Sequence, residues 1–235
     1  LVLSQRRSRL GLARGERIFR VFGPRTLWED FGGLLLEFPV SGFSQTNTGA
    51  ASLLYEEAAS FARNACGVDA PVFSELWDLY SGVGALALAL SDHAQRTLGV
   101  ELDEQSARLA HANAARLGKT GCAFAAADSA SLMESLFWPK NRPRLLPGGF
   151  TGPDLLVTDP PRSGMSEKVL RNILRARPRA IVYVSCDPAT QARDAAFRRE
   201  AYRIDRRTLV DMFPHTPPVG AMCRLVLRDD AAGRS

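Results

Sequence analysis

From residue 72 onward, short stretches that are apolar at nearly every position alternate with segments whose apolar residues recur at helical spacing. The first kind reads as strands buried on both faces, the second as amphipathic helices. The pattern predicts strands over Val72–Leu79, Thr97–Glu101, Cys122–Ala127, Asp154–Thr158, Ala180–Val184, Tyr202–Val210 and Ala221–Leu227. It predicts helices over Ala85–Ser91, Glu104–Leu117, Ala130–Phe137, Ser166–Arg175 and Ala189–Arg199. Trp138–Pro153, rich in Pro, Gly and Arg, has no period and reads as a loop. Strands separated by helices give an α/β fold, a mostly parallel seven-stranded sheet covered on both faces. The last two strands are expected to close it as an antiparallel hairpin.

Upstream the pattern is different. Glu16–Phe22 and Leu34–Val40 read as strands, with Gly32-Gly33 as the turn signal between them. A helix runs from Thr48, a plausible N-cap, to about Cys66. The expected organisation is a partial N-terminal β-containing domain over residues 1–47, a connecting helix over 48–71 and the α/β domain over 72–235.

Composition narrows the class. Apolar residues make up 46% and charged residues 23%, which excludes a disordered chain. The longest apolar run, Ala85–Leu90, is far short of the roughly 20 residues of a membrane span. No secretory leader opens the chain, so a cytoplasmic protein is expected. Because the chain starts at Leu1 and its first stretch reads as an internal segment, it is expected to be a piece of a longer protein. The net charge of +5 comes almost wholly from Arg, with Lys119, Lys140 and Lys168 the only lysines. This suits a phosphate-bearing partner, and it equally suits Arg-heavy codon usage. Four separated cysteines, Cys66, Cys122, Cys186 and Cys223, form no C-x-x-C pair, so no zinc or iron–sulfur site is expected.

Three motifs fall at strand ends. Asp78-Leu79-Tyr80-Ser81-Gly82-Val83-Gly84 is a Gly-rich turn from strand to helix, which lets a nucleoside-bearing ligand approach the backbone. Glu101 ends the next strand, where a carboxylate can bind ribose hydroxyls. Gly82-x-Gly84-x-x-Ala87 also fits a dinucleotide fingerprint, so an NAD-dependent oxidoreductase stays open on this motif. Thr158-Asp159-Pro160-Pro161-Arg162 follows a later strand, and its spacing from Gly84 suits a methyltransferase using S-adenosylmethionine (SAM). Val184-Ser185-Cys186-Asp187-Pro188-Ala189-Thr190 places a thiol at a strand end opening a helix, whose N-terminus would stabilise the thiolate.

Together these strings resemble the RNA uracil-C5 methyltransferases, the family acting on bacterial 23S rRNA and on the T-loop of tRNA. The matching segments are Phe43–Asn47, Asp78–Gly84, Gly99–Glu101, Asp159–Arg162, Ser185–Asp194 and Asp211–Thr216, in family order. The resemblance implies a class I SAM-dependent methyltransferase fold (Rossmann-like), SAM as methyl donor, rRNA or tRNA as partner, and a monomer. It implies Cys186 as the nucleophile. By the same resemblance Gln45, Tyr80, Glu101, Asp128 and Asp159 contact SAM. A polar residue that relatives place five positions after Tyr80 is Ala85 here. The N-terminal RNA-binding barrel and cluster-binding cysteines that some relatives carry are not expected within this chain.

The chemistry explains these requirements. Uracil C5 is a poor nucleophile until a thiolate adds to C6. A base must then remove the C5 proton so that the thiolate can leave. The family's base is a Glu four residues after the Thr of Pro-His-Thr; counted from Thr216 that position is Gly220. Three readings follow. Another group, such as His215 or a water, takes the proton; the adduct forms but is released slowly; or the chain is a SAM- and RNA-binding homologue without turnover. A slow release predicts that a Cys186-linked RNA adduct accumulates, and that Gly220→Glu shortens its life. Arg203, Arg206 and Arg207, and the run Arg171, Arg175, Arg177 and Arg179, are candidate phosphate contacts.

Overall fold

The structure, a computed structural model, describes residues 2–5, 17–20, 22–40, 42–45, 47–65, 73–138, 146–197, 199–212 and 219–228. Eleven strands and six α-helices are defined among them. Two antiparallel pairs come first: β1 (Val2–Gln5) with β2 (Arg17–Arg20), and β3 (Thr26–Asp30) with β4 (Leu35–Pro39). The Gly32-Gly33 turn therefore joins Leu35–Pro39 to Thr26–Asp30, and not to the 16–22 segment as the sequence pattern suggested. Thr26–Asp30 escaped that pattern because its alternation is nearly solvent-exposed, with Leu27 and Trp28 both facing out.

α1 (Thr48–Ala65) follows, then β5 (Phe73–Leu79), α2 (Ala85–Leu90), β6 (Ala94–Glu101), α3 (Glu104–Arg116), β7 (Cys122–Ala126), α4 (Ser129–Ser135) and β8 (Leu155–Thr158). The chain continues through α5 (Glu167–Ala176), β9 (Ala180–Ser185), α6 (Pro188–Ala196), β10 (Tyr202–Val210) and β11 (Gly220–Leu227). These bounds match the sequence expectation closely, because each buried strand carries its own apolar run. The residue capping α1 is Asn47 rather than Thr48: its side-chain oxygen accepts from Ala50 N at 3.1 Å.

Strands β5 to β11 form one seven-stranded sheet in the order β10-β11-β9-β8-β5-β6-β7. β5 through β9 run parallel, while β11 lies antiparallel between β9 and β10. That insertion distinguishes the sheet from the all-parallel dinucleotide-binding order. The chain winds outward both ways from β5 and β8, so the ligand crevice lies at the carboxyl ends beside them.

Alternation along the strands sends side chains to two cores. Leu155, Val157, Val182 and Val184 pack on one face with Leu54, Tyr55, Ala58 and Phe61 of α1 and with Phe38 of β4. Leu156, Ile181 and Tyr183 pack on the other with Val169, Leu170 and Ile173 of α5. The β3–β4 hairpin is pinned to α3 by buried Asn113, which donates to Glu37 O and Val83 O and accepts from Glu37 N. No described helix is long and apolar enough to cross a membrane.

Candidate active site

Strand register gathers the motifs. Leu79 lies beside Val100 on one side and Thr158 on the other. Glu101 pairs with Ala126, Thr158 with Tyr183, and Ser185 with Ala221. The residues ending or following these strands thus line one edge of the sheet. In spatial order they are Asp128, Glu101, Tyr80, Asp159 and Cys186, with Gly220 next to Cys186 at the end of the row. Gln45 lies in the segment before α1. Its neighbour Asn47 donates from Nδ2 to Met212 O at 3.3 Å, tying that segment to the β10 side of the row.

The Gly-rich turn is held by carboxylates. Gly82 N donates to Glu101 Oε2 at 2.9 Å, and Asp103 N to Oε1 at 2.8 Å. Asp78 Oδ2 accepts from Ala87 N at 3.0 Å, inside α2. Tyr80 sits at φ 66°, a costly conformation for a residue with a side chain. Gly84, at φ 89°, admits Phe124, which would lie 2.8 Å from an added Cβ. Above Gly82 the space is open. Buried Asp78 Oδ1 and Ser81 Oγ have no hydrogen-bond partner among the described residues. Each Glu101 oxygen keeps a second lone pair. Open space, free acceptors and a hydroxyl suit a ligand with ribose hydroxyls and a cationic head.

Cys186 is half-buried at the end of β9, whereas Cys223 is buried and burial pushes the Cys122 thiol up. Cys66 lies outside the described residues. The α6 N-terminus, expected from the sequence to serve the thiolate, is occupied by Asp187. Its carboxylate accepts from Thr190 N at 3.3 Å and Ala189 N at 2.9 Å, which holds it below the usual carboxylate range. Arg193 is likewise structural: it donates to Asp194 Oδ1 and to Ser163 O. Asp194, fully buried, accepts from Met165 N at 2.9 Å and from Tyr183 OH at 2.8 Å. This clamp fixes the loop after Asp159 to the helix after Cys186. Gly164 completes it at φ 77°, where a Cβ would lie 2.4–2.7 Å from Thr190, Arg193 and Asp194. The sequence reading placed Asp194 in a motif but gave it no role, since its partners are 11 and 29 residues away.

Asp159 is the electrostatic centre of the row. Burial pushes its carboxyl up to about 7. Asp78, deeper on β5, is raised by burial and by the charges of Asp159 and Glu101, against the lowering bond from Ala87 N. Tyr55, on α1, is raised by burial and by the same two aspartates. Tyr55 carried no functional signal in the sequence, because it falls in the apolar stripe of its helix. Tyr80 is pushed up to about 12 by burial, then by Asp128 and Asp194. Asp128 caps α4, accepting from Ser131 N at 2.9 Å. His215, the alternative base, lies outside the described residues, and the His111 ring bonds Phe124 O at 2.8 Å. Arg206 pairs with Glu57 and Arg171 with Glu167, while Arg175 and Arg179 lie over the Phe137 and Phe73 rings. Among the described residues no group of three metal-ligating side chains occurs.

Known proteins share this sequence pattern and fold. The sequence model of the family described as tRNA (uracil-5-)-methyltransferase matches residues 36–227. A protein of Nitratidesulfovibrio vulgaris named an uncharacterised RNA methyltransferase is 39% identical over 88% of this chain and 42% of its own length. A similarly named protein of Geobacter sulfurreducens is 36% identical over 90% of this chain and 40% of its own. Among solved structures, the Pyrococcus abyssi tRNA (uracil-54, C5)-methyltransferase in complex with S-adenosyl-L-homocysteine superposes with a TM-score of 0.70 at 27% identity. It covers 95% of this chain and 50% of the archaeal one. The chain thus spans between two fifths and half of the length of these relatives.

Proposed function

Since this chain belongs to the tRNA (uracil-5-)-methyltransferase family, we propose that it methylates C5 of a uracil in rRNA or tRNA, with Cys186 as nucleophile and SAM as methyl donor. The observation that carries the reading is the strand-edge row that sets Cys186 beside Asp159 and continues through Tyr80 and Glu101 to Asp128. In this reading residues 1–47 are the remnant of a substrate-facing domain, 48–71 a connection and 72–235 the catalytic domain.

SAM fits the open face of the Gly-rich turn. Glu101, through its free lone pairs, would take ribose hydroxyls, and Asp128, through the oxygen not used in capping, the adenine. Tyr80, Gln45 and Asp159 would line the remainder. Bound there, SAM supplies an electrophilic methyl on a sulfonium. Cys186 thiolate adds to C6 of the uracil, and C5 becomes enolate-like and accepts the methyl. Removal of the C5 proton restores the C5–C6 double bond and expels the thiolate.

Gly220 favours a second reading, a homologue that keeps SAM and RNA binding but turns over poorly. It lies next to Cys186 and offers no side chain. Transfer of labelled methyl to transcribed 23S rRNA and tRNA, with the modified position mapped, tests both. Methyl at C5 of a uridine supports the enzyme. SAM and RNA binding without stable methyl in RNA supports the second reading.

A further inference from the structure

The family's base position has no side chain here, yet the row is rich in carboxylates. Almost all of them are already committed. Glu101 accepts from two backbone N–H groups. Asp103, Asp128 and Asp187 cap the helices α3, α4 and α6. Asp194 is locked in the clamp, and Asp78 is sealed beneath the turn. Of these carboxylates Asp159 alone has no hydrogen bond among the described residues, and the residue as a whole is half-buried.

Its placement is equally specific. One step beyond the Thr158–Tyr183 pair sets Asp159 beside Val184, two residues before Cys186. The alternation that buries Val157 and Val184 against α1 carries Asp159 and Cys186 towards the same face of the sheet.

We propose that Asp159 is the general base of this chain, taking over the proton transfer that its relatives assign to the glutamate at the position of Gly220. The assignment rests on the uracil-C5 reading above and extends it. The electron balance is complete. The Asp159 carboxylate takes the C5 proton of the methylated adduct, the C5–H pair re-forms the C5–C6 double bond, and the C6–S bond breaks, returning the pair to Cys186. A carboxyl raised by burial to about 7 both accepts that proton and gives it up near neutral pH. The groups facing it are Tyr55 from α1 and Asp78 from β5, both held protonated more strongly than usual.

The test compares the protein and Asp159→Asn on two RNAs, one with uridine and one with 5-fluorouridine, each with SAM. Fluorine at C5 cannot leave as a proton does, so the adduct on that RNA is trapped whether or not a base is present. Asp159→Asn should still form and trap the fluorouridine adduct. On uridine RNA it should release its adduct about 10² to 10⁴ times more slowly, so that a methylated protein–RNA band builds up on denaturing gels. Wild-type turnover by the variant overturns the assignment, as does failure on both RNAs while S-adenosylhomocysteine binding persists. Independently of any variant, single-turnover adduct release by the unaltered protein should rise with pH through about 7. A flat profile from pH 6 to 8 also overturns the assignment. If the unaltered protein forms no fluorouridine adduct, the uracil-C5 reading itself fails, and this assignment falls with it.

Discussion

Cys186 and Gly220 are neighbours across β9 and β11, and each makes a distinct prediction. Cys186→Ala removes the thiol proposed to bond C6. No adduct should then form on either uridine or fluorouridine RNA, while calorimetric binding of S-adenosylhomocysteine persists. An adduct in this variant would assign the nucleophile elsewhere. Gly220 is more constrained than its lack of a side chain suggests. A Cβ there would lie 3.0 Å from Val210 O and 3.1 Å from Met212 Cγ. Met212 can shift, whereas the carbonyl belongs to the paired strand. Gly220→Ala should therefore lower stability by about 1–3 kcal/mol in urea melts. Introducing by Gly220→Glu the glutamate that the family resemblance implies meets the same crowding, so the shortened adduct life expected from sequence has to overcome a strained strand end. The sequence showed that the residue was exchanged; the packing shows why the exchange is hard to reverse.

Among elements, the decisive one is the clamp between the loop after β8 and α6. Asp159 and Cys186 come from different strands, and their mutual position depends on Met165, Tyr183, Arg193 and Asp194 holding that loop down. Gly164→Ala combines an unfavourable positive φ with contacts below 3 Å to three side chains. It should cost about 2–4 kcal/mol in chemical denaturation and slow the methyl-transfer half-reaction, which fluorouridine trapping reads. A neutral Gly164→Ala would mean that the loop is free to rearrange. The boundaries of β5 through β9 and of β11 were legible because each buried strand and helix has a local period. Thr26–Asp30 was not, because a strand with its apolar residues outward lacks the pattern that marks burial.

For the molecule as a whole, pH is the clearest probe. Asp159 and Asp78 are raised in the native state, whereas unfolded carboxyls titrate near 4. Between about pH 4 and 7 the native chain holds protons that the unfolded chain has released, so stability falls as pH rises through that window. Asp159→Asn removes one such group. Its urea midpoint should match the unaltered protein below pH 4 and exceed it increasingly up to pH 8. A constant difference would show that the Asp159 carboxyl is fully hydrated.

The sequence by itself determined the alternation of strands and helices, the motif strings and hence the family, and it placed Cys186 and Gly220 where a nucleophile and a base were sought. These are local properties, readable from runs of neighbouring residues. The tertiary structure decided which strands adjoin, and therefore that Asp159 stands beside Cys186 and that Gly220 closes the row. It also decided which carboxylates are spent on backbone N–H groups and that Asp159 has no hydrogen bond among the described residues. That distinction lies beyond the sequence because it depends on hydrogen bonds between segments far apart in the chain, and on how deeply each carboxyl is buried once they pack.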